Sequence, residues 1–170
     1  MTRSVLTPSG MPASGKTSRA DRRAADGTSL NFLGFFLGEE EFGADLNLVA
    51  QIVKPPPLTW VPRARAHLLG VISIRGKVVT LVDLRQLLGL APTSWPRTAR
   101  VLLVDHEGEP IGLLVDGVTH VHRVAIEQFE TGVTLEDDTR SEHVLGVARP
   151  DDSTRVTVVD LIGILSELLR

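Results

Sequence analysis

The pattern with the clearest link to chemistry lies near the N-terminus. Residues 10–17, GMPASGKT, match the phosphate-binding pattern GxxxxGK[ST], in which backbone amides and a lysine hold nucleotide phosphates. In a working site of this kind, the glycine-rich turn follows a buried strand and opens a helix. Here only one short apolar pair precedes the motif, and Pro8 interrupts it. A chance match in a disordered tail is favoured, and a nucleotide hydrolase using Lys16 and Thr17 is kept as an alternative.

Two histidines are the next candidates for chemistry, as ligands of a metal ion. His120 and His122 alternate along a predicted strand, so both side chains lie on one face. No third ligand stands nearby, and the chain has no cysteine to serve as a thiolate ligand or nucleophile. No set of nucleophile, base and orienting group converges in the sequence. The sequence therefore predicts no enzyme, no metal site and no cofactor.

The third candidate is Arg75, at the centre of the stretch 70–89, GVISIRGKVVTLVDLRQLLG. Two apolar runs flank Arg75-Gly76-Lys77, a pattern typical of a β-hairpin with a short turn. Asp83 is a good N-cap and Gly89 a good stop, which predicts a short helix over 84–88. From the residues alone, Arg75 is either a solvated turn residue or a contact for a protein partner.

Bulk composition excludes several classes of partner. The net charge of −3 and the pI near 5.9 offer no electrostatic basis for binding nucleic acid. No apolar run approaches the roughly 20 residues that a membrane-spanning helix needs. We therefore expect a soluble intracellular protein with no direct insertion into a membrane.

Most of the chain is predicted to fold, as short strands separated by polar turns. Residues 1–29 are polar, with few apolar residues, and are expected to form a disordered tail. The apolar spacing over 46–53 predicts a helical turn with one apolar face. A final helix is expected over 161–169, capped by Asp160, with a buried face made of Ile162, Leu165, Leu168 and Leu169.

An internal repeat organises the folded part. VTLVDLRQLL at 79–88 aligns without gaps on VTVVDLIGIL at 156–165. Each copy reads as a strand followed by a capped helix, and repeated short strands with tight turns favour small barrels. We predict a mainly β domain over 30–170, built from two small packed five-stranded-type β-barrels with short capping helices. The two barrels are assigned to subdomains 30–93 and 94–170.

The same stretches resemble the CheW-like family of chemotaxis coupling proteins. GVISIRGKVVTLVDLR, beginning at Gly70, is similar to the family signature, with Ser73 and Thr80 where the family usually has Asn and Pro. IGLLVDGV, beginning at Ile111, resembles the second recurring stretch. Similar matches begin at Phe42 and Val156, so the resemblance covers about 30–170 in the expected order.

The resemblance implies a non-catalytic adaptor in a cytoplasmic receptor array. Family members couple the cytoplasmic tips of methyl-accepting chemoreceptors to the regulatory domain of a CheA-type histidine kinase. The family's receptor-contact positions correspond here to Arg75 with Gly76, and to the apolar residues Val49 and Ile52. A structural module of another signalling complex is the remaining alternative, and only its partner would distinguish it.

Overall fold

A computed structural model describes residues 29–91, 94–132 and 142–170, and these residues form mainly β-strands. The predicted tail and the GxxxxGKT motif at 10–17 lie outside the described residues. Two short 3-10 turns, Leu46–Leu48 and Ile126–Gln128, accompany the regular elements. The strands are β1 Ser29–Leu37, β2 Glu40–Asp45, β3 Val49–Val53, β4 Leu68–Ile74, β5 Lys77–Asp83, β6 Arg100–His106, β7 Glu109–Val115, β8 Gly117–Ala125, β9 Phe129–Thr131, β10 Val144–Ala148 and β11 Val156–Val159. The helices are α1 Leu84–Leu87 and α2 Leu161–Leu168.

The strands form two sheets of similar construction. The first sheet has the order β8-β1-β2-β11-β10-β9, and the second has the order β3-β6-β7-β5-β4. Each contains a single parallel pairing, β2 with β11 in the first sheet and β5 with β7 in the second. The other pairings between these strands are antiparallel. The predicted fold class, mainly β with two small packed units and short helices, is confirmed.

The strands are distributed between the sheets differently from the predicted subdomains. The segment 29–45 supplies β1 and β2 to the sheet that also holds β8 to β11. The segment 100–115 supplies β6 and β7 to the sheet that holds β3 to β5. The expected boundary between 93 and 94 therefore does not separate the two sheets, because each repeat completes its sheet with a hairpin from the other side of that boundary.

The repeat seen in the sequence is also a structural repeat. The pairs β4–β5 and β10–β11 each contain a register shift, at Leu68/Gly70 and at Val144/Gly146. A Cβ atom on Gly70 would lie 2.2 Å from the carbonyl oxygen of Thr59, and one on Gly146 would lie 2.2 Å from that of Glu130. Both glycines are therefore required by the close approach of a neighbouring backbone.

Three apolar clusters stabilise the fold, one associated with each sheet and a larger one between them. The largest cluster takes equivalent residues from both repeats, such as Val82 with Val159 and Leu84 with Leu161. Burial of this shared surface favours association of the two sheets. The cluster of the second sheet contains Leu69, Ile72, Val79, Leu81, Ala99, Val101, Leu103 and Leu114, and that of the first contains Phe32, Val124, Ala148, Val156 and Val158.

The two helices begin as predicted, at aspartate caps. An Asp83 carboxylate oxygen accepts a hydrogen bond from the backbone N–H of Arg85 at 3.0 Å. An Asp160 carboxylate oxygen accepts one from the N–H of Gly163 at 2.9 Å. Each satisfies a donor that the first helical turn would otherwise leave free.

Two details of the helix predictions are wrong. Of the segment 46–53, only Leu46–Leu48 is a 3-10 turn, and Val49–Val53 is a strand because it pairs with β6. In α2 the predicted face is only partly right: Leu165 is buried and Leu168 packs partly against the core between the sheets, but the other buried residues are Leu161 and Ile164. Ile162 is 57% exposed and Leu169 is 45% exposed. The difference arises because Leu161, directly after its cap, enters the core between the sheets and sets the rotation of the helix.

Candidate functional site

The first part of the candidate site is the Arg75 hairpin, which consists of β4, the turn Arg75-Gly76 and β5. Ile74 and Lys77 close a two-residue turn. Both turn residues have positive φ, 50° at Arg75 and 81° at Gly76, which is the pattern of a type I′ turn. Such turns favour Asn or Asp followed by Gly, so an arginine in the first position is unusual.

No hydrogen bond or ion pair of the Arg75 side chain with the described residues offsets the energetic cost of this backbone conformation. This side chain is exposed at the tip of the hairpin. Within 29–91, 94–132 and 142–170 it makes no hydrogen bond or ion pair. A strained, unpaired arginine at an exposed tip is the kind of outlier that points to a role in binding.

The second part is β3, where the predicted contact residues Val49 and Ile52 lie. Val49 is opposite Val104 and Ile52 is opposite Leu102, with a register shift between Val49 and Gln51. The shift places Val49 and Ile52 on one face of the strand, although they are three residues apart. Val49 packs partly against the core between the sheets, whereas Ile52 is 41% exposed.

These two parts do not adjoin along the sheet. β3 is the edge strand on one side, and β6 and β7 separate it from the Arg75 hairpin on the other. The structure thus gives two patches on the second sheet, one charged at a hairpin tip and one apolar at an edge strand. Both patches leave side chains accessible to a partner.

A buried ion pair that the sequence analysis did not identify lies between the sheets. The guanidinium of Arg85 binds the carboxylate of Asp116, with side-chain exposures of 7% and 12%. The N–H of Gly38 donates to the same carboxylate at 2.5 Å, and the Asp116 N–H donates to the Phe36 carbonyl at 2.9 Å. The pair therefore ties α1 to the β1–β2 turn of the other sheet. The only signal in the sequence was a charged residue among the leucines of a short apolar helix.

The histidine pair on β8 is part of a polar cluster with β2. His120 is exposed, whereas His122 is 4% exposed and its Nε2 lies 2.8 Å from a carboxylate oxygen of Glu41. Thr119 donates to the same oxygen at 2.7 Å. Burial acts to raise the pKa of Glu41, but the hydrogen bonds from His122 and Thr119 and the histidine charges lower it below its ordinary value. The described residues contain no group of three or more ligands suited to a metal ion.

A cavity of about 210 Å³ lies where the two repeats meet. His67 and His143 occupy equivalent positions, because their carbonyls accept hydrogen bonds from Asp83 and Asp160 respectively, each at 2.8 Å. The Nε2 of His67 is buried with no hydrogen-bond partner in the part of the chain that the structure describes. Burial and the nearby charge of Arg65 hold the pKa of His67 below its ordinary value. The cavity is lined by Arg65, His67, Gln86, Leu87, His143, Ile164, Glu167 and Leu168.

No helix in the described part of the chain combines the length and apolar character that a membrane-spanning segment requires.

Comparison with known proteins identifies the family. Residues 31–169 match the CheW-like domain. The chain is 30% identical to the chemotaxis protein CheW of Helicobacter pylori over 139 residues, which cover 81% of this chain and 82% of the relative. It is 29% identical to a probable chemotaxis protein CheW of Rhizobium etli, over 79% of this chain and 86% of the relative. The crystal structure of the scaffolding protein TtCheW from Thermoanaerobacter tengcongensis superposes with a TM-score of 0.71 at 27% identity, over 79% of this chain and 91% of that chain. The chain belongs to the CheW-like family of chemotaxis proteins.

Proposed function

We propose that this chemotaxis adaptor couples the cytoplasmic tips of methyl-accepting chemoreceptors to a CheA-type histidine kinase. It acts in the cytoplasm as a non-catalytic scaffold that binds the receptor on one surface and the regulatory domain of the kinase on another. Support comes from the family match over 31–169 and from the similarity to a protein described as a scaffold.

Arg75 is the observation that carries the receptor-binding part of the proposal. Its guanidinium lies at a two-residue turn, exposed and unpaired among the described residues. Arginine is favoured at interface centres because its planar group makes several directed hydrogen bonds to a carboxylate. Gly76 permits the turn, since its φ of 81° is strained for a residue with a Cβ atom.

Val49 and Ile52 form the apolar part of the proposed receptor contact. Ile52 offers exposed apolar surface on an edge strand, and Val49 anchors the same face of that strand against the core. Apolar area and directed charges together are a common composition of a protein interface, and here they lie on separate patches of the second sheet.

Binding of a purified receptor cytoplasmic fragment tests this proposal. Wild-type protein is expected to co-sediment with the fragment, and Arg75→Glu is expected to bind at least tenfold more weakly, as for a residue at an interface centre. Arg63→Glu is the matched control, because Arg63 is also exposed and has a φ of 61°. Equal binding by Arg75→Glu and the control would remove Arg75 from the receptor contact. Failure of wild type to bind either receptor or kinase would refute the adaptor role.

A further inference from the structure

The Arg75 hairpin has a neighbour of the same shape in the second sheet. This β6–β7 hairpin consists of β6, the turn Glu107-Gly108 and β7. β5 and β7 are parallel neighbours, with Thr80 opposite Ile111, so both turns emerge at the same end of the sheet. Two strand spacings separate the midlines of the hairpins, which places the turns about 10 Å apart.

The two turns share one backbone conformation. Glu107 and Gly108 have φ of 52° and 86°, close to the 50° and 81° of Arg75 and Gly76. The second turn therefore also places a long charged residue where Asn or Gly is ordinarily favoured. Two strained charged residues at one end of one sheet indicate a common purpose more strongly than either alone.

The two tips carry opposite charge. The first turn contains Arg75 and is followed by Lys77, whereas the second contains Glu107 and lies between Asp105 and Glu109. All five of these charged residues are exposed. Asp105 is used locally, because its carboxylate accepts a hydrogen bond from the Gly108 N–H at 3.0 Å. In the described part of the chain no ion pair joins one tip to the other. Both charges thus remain available to a partner.

We propose that the β6–β7 hairpin is a second contact of the receptor-binding surface, in which Glu107 and Glu109 bind a basic side chain of the receptor segment that binds Arg75. This rests on the proposed function. The occupant is a single α-helix with an acidic and a basic side chain on one face. A separation of about 10 Å corresponds to about seven residues of helix, which is two turns. The acidic side chain of the receptor helix faces Arg75, and its basic side chain faces the Glu107-Gly108 turn.

The helix fits this end of the sheet better than a second copy of the chain does. Two copies related by a two-fold axis would also match positive to negative tips. Two hairpin tips, however, offer far less than the roughly 800 Å² per partner of a standard stable interface. A receptor helix can extend beyond the tips and add contact area elsewhere.

Charge reversal at the acidic tip tests the proposal. Binding of the purified receptor cytoplasmic fragment is measured for wild type, Glu107→Lys, Glu107→Gln and Glu109→Lys. We expect Glu107→Lys and Glu109→Lys to bind about three- to tenfold more weakly at low salt, with Glu107→Gln in between. The differences should shrink in 0.5 M salt, because exposed charges are then screened over a few ångströms. Glu109 has no positive φ, so its variant separates charge from backbone strain.

Glu39→Lys is the matched control. Glu39 is exposed at the corresponding hairpin turn between β1 and β2 in the first sheet, so the change in net charge is the same. Unchanged receptor binding by Glu107→Lys and Glu109→Lys, with Arg75→Glu still defective, would overturn the second contact and leave the proposed function intact. The second contact is also overturned if these variants lose only kinase binding, or lose only self-association of the chain. If wild type fails to bind the receptor fragment, both proposals fail together.

Discussion

At the scale of single residues, the least expected feature is an arginine in a left-handed turn position. Most side chains lose roughly 1–2 kcal/mol in this conformation, which Asn and Gly tolerate. Glycine at Gly70 and Gly146 is explained by a backbone oxygen 2.2 Å from the missing Cβ atom, a purely structural reason. No comparable packing reason applies to Arg75, which is exposed. The loss of folding stability caused by arginine at this position is therefore consistent with selection of Arg75 for binding.

This contrast predicts opposite effects of Arg75→Asn on stability and on binding. Asn suits the type I′ turn, so we expect the free energy of unfolding to rise by up to about 1 kcal/mol. Receptor binding should fall, because the guanidinium is gone. Urea unfolding and the receptor co-sedimentation assay measure the two effects. A variant that is both less stable and fully competent in binding would contradict the interpretation.

A second residue-scale prediction concerns pH and His67. Burial and the charge of Arg65 lower the pKa of His67 in the folded protein. The folded state therefore binds a proton at His67 less readily than the unfolded state does. Stability linked to His67 is thus complete above the unfolded pKa of about 6.5 and declines as the pH falls through the folded value. His67→Gln should lose less stability than wild type between pH 7.5 and 5.5 in urea unfolding. Equal losses would show that His67 is not the responsible group.

At the scale of elements, the short helix α1 depends on a buried charge. Arg85 binds Asp116 at a point where neither side chain is substantially exposed, and Asp116 also accepts a hydrogen bond from the β1–β2 turn. A buried pair of this kind is costly to form but far more costly to break on one side. It therefore fixes how α1 meets the other sheet.

The change Arg85→Met is expected to destabilise the protein by about 3–5 kcal/mol, because Asp116 would be left as an unpaired buried charge. Adding Asp116→Asn should recover part of this loss, since an amide is less costly to bury than a lone carboxylate. Arg97→Met, at an exposed position, is the control. A loss below about 1 kcal/mol in urea unfolding would mean that water reaches Asp116.

At the scale of the whole molecule, the two sheets depend on one another. The hairpin β1–β2 completes the sheet of the C-terminal repeat, and β6–β7 completes the sheet of the first repeat. The largest apolar cluster is shared between the sheets and draws on both repeats. Neither sheet is built from one continuous half of the chain.

This interleaving predicts that fragments 30–93 and 94–170 do not fold separately. Each lacks partner strands that the other holds, so unpaired strand edges and apolar faces would be exposed. Circular dichroism should show little β-structure for either fragment, with recovery when the two are mixed. The intact 30–170 segment is the control. A cooperative thermal transition in one isolated fragment would instead support the subdomain division placed between 93 and 94.

The sequence by itself determined the features that depend on local rules. A hairpin with a short turn around Arg75-Gly76-Lys77 and the caps at Asp83 and Asp160 were predicted, because turn and cap chemistry act over a few residues. The structure limits the turn to Arg75 and Gly76. The repeat was visible because equivalent strands and helices need equivalent apolar patterns. The family resemblance pointed to Arg75, Gly76, Val49 and Ile52, whose roles in binding remain predictions.

Only the tertiary structure decided which distant segments pair. The apolar spacing over 46–53 fits a turn of helix as well as an edge strand, and β6 decided between them. The Arg85–Asp116 pair and the nearness of the acidic and basic tips depend on β5 and β7 being parallel neighbours within an interleaved sheet. Arg75 was recognisable from its own turn. The acidic tip beside Arg75 was not recognisable from the sequence, because strands that are distant in the sequence bring the two tips together.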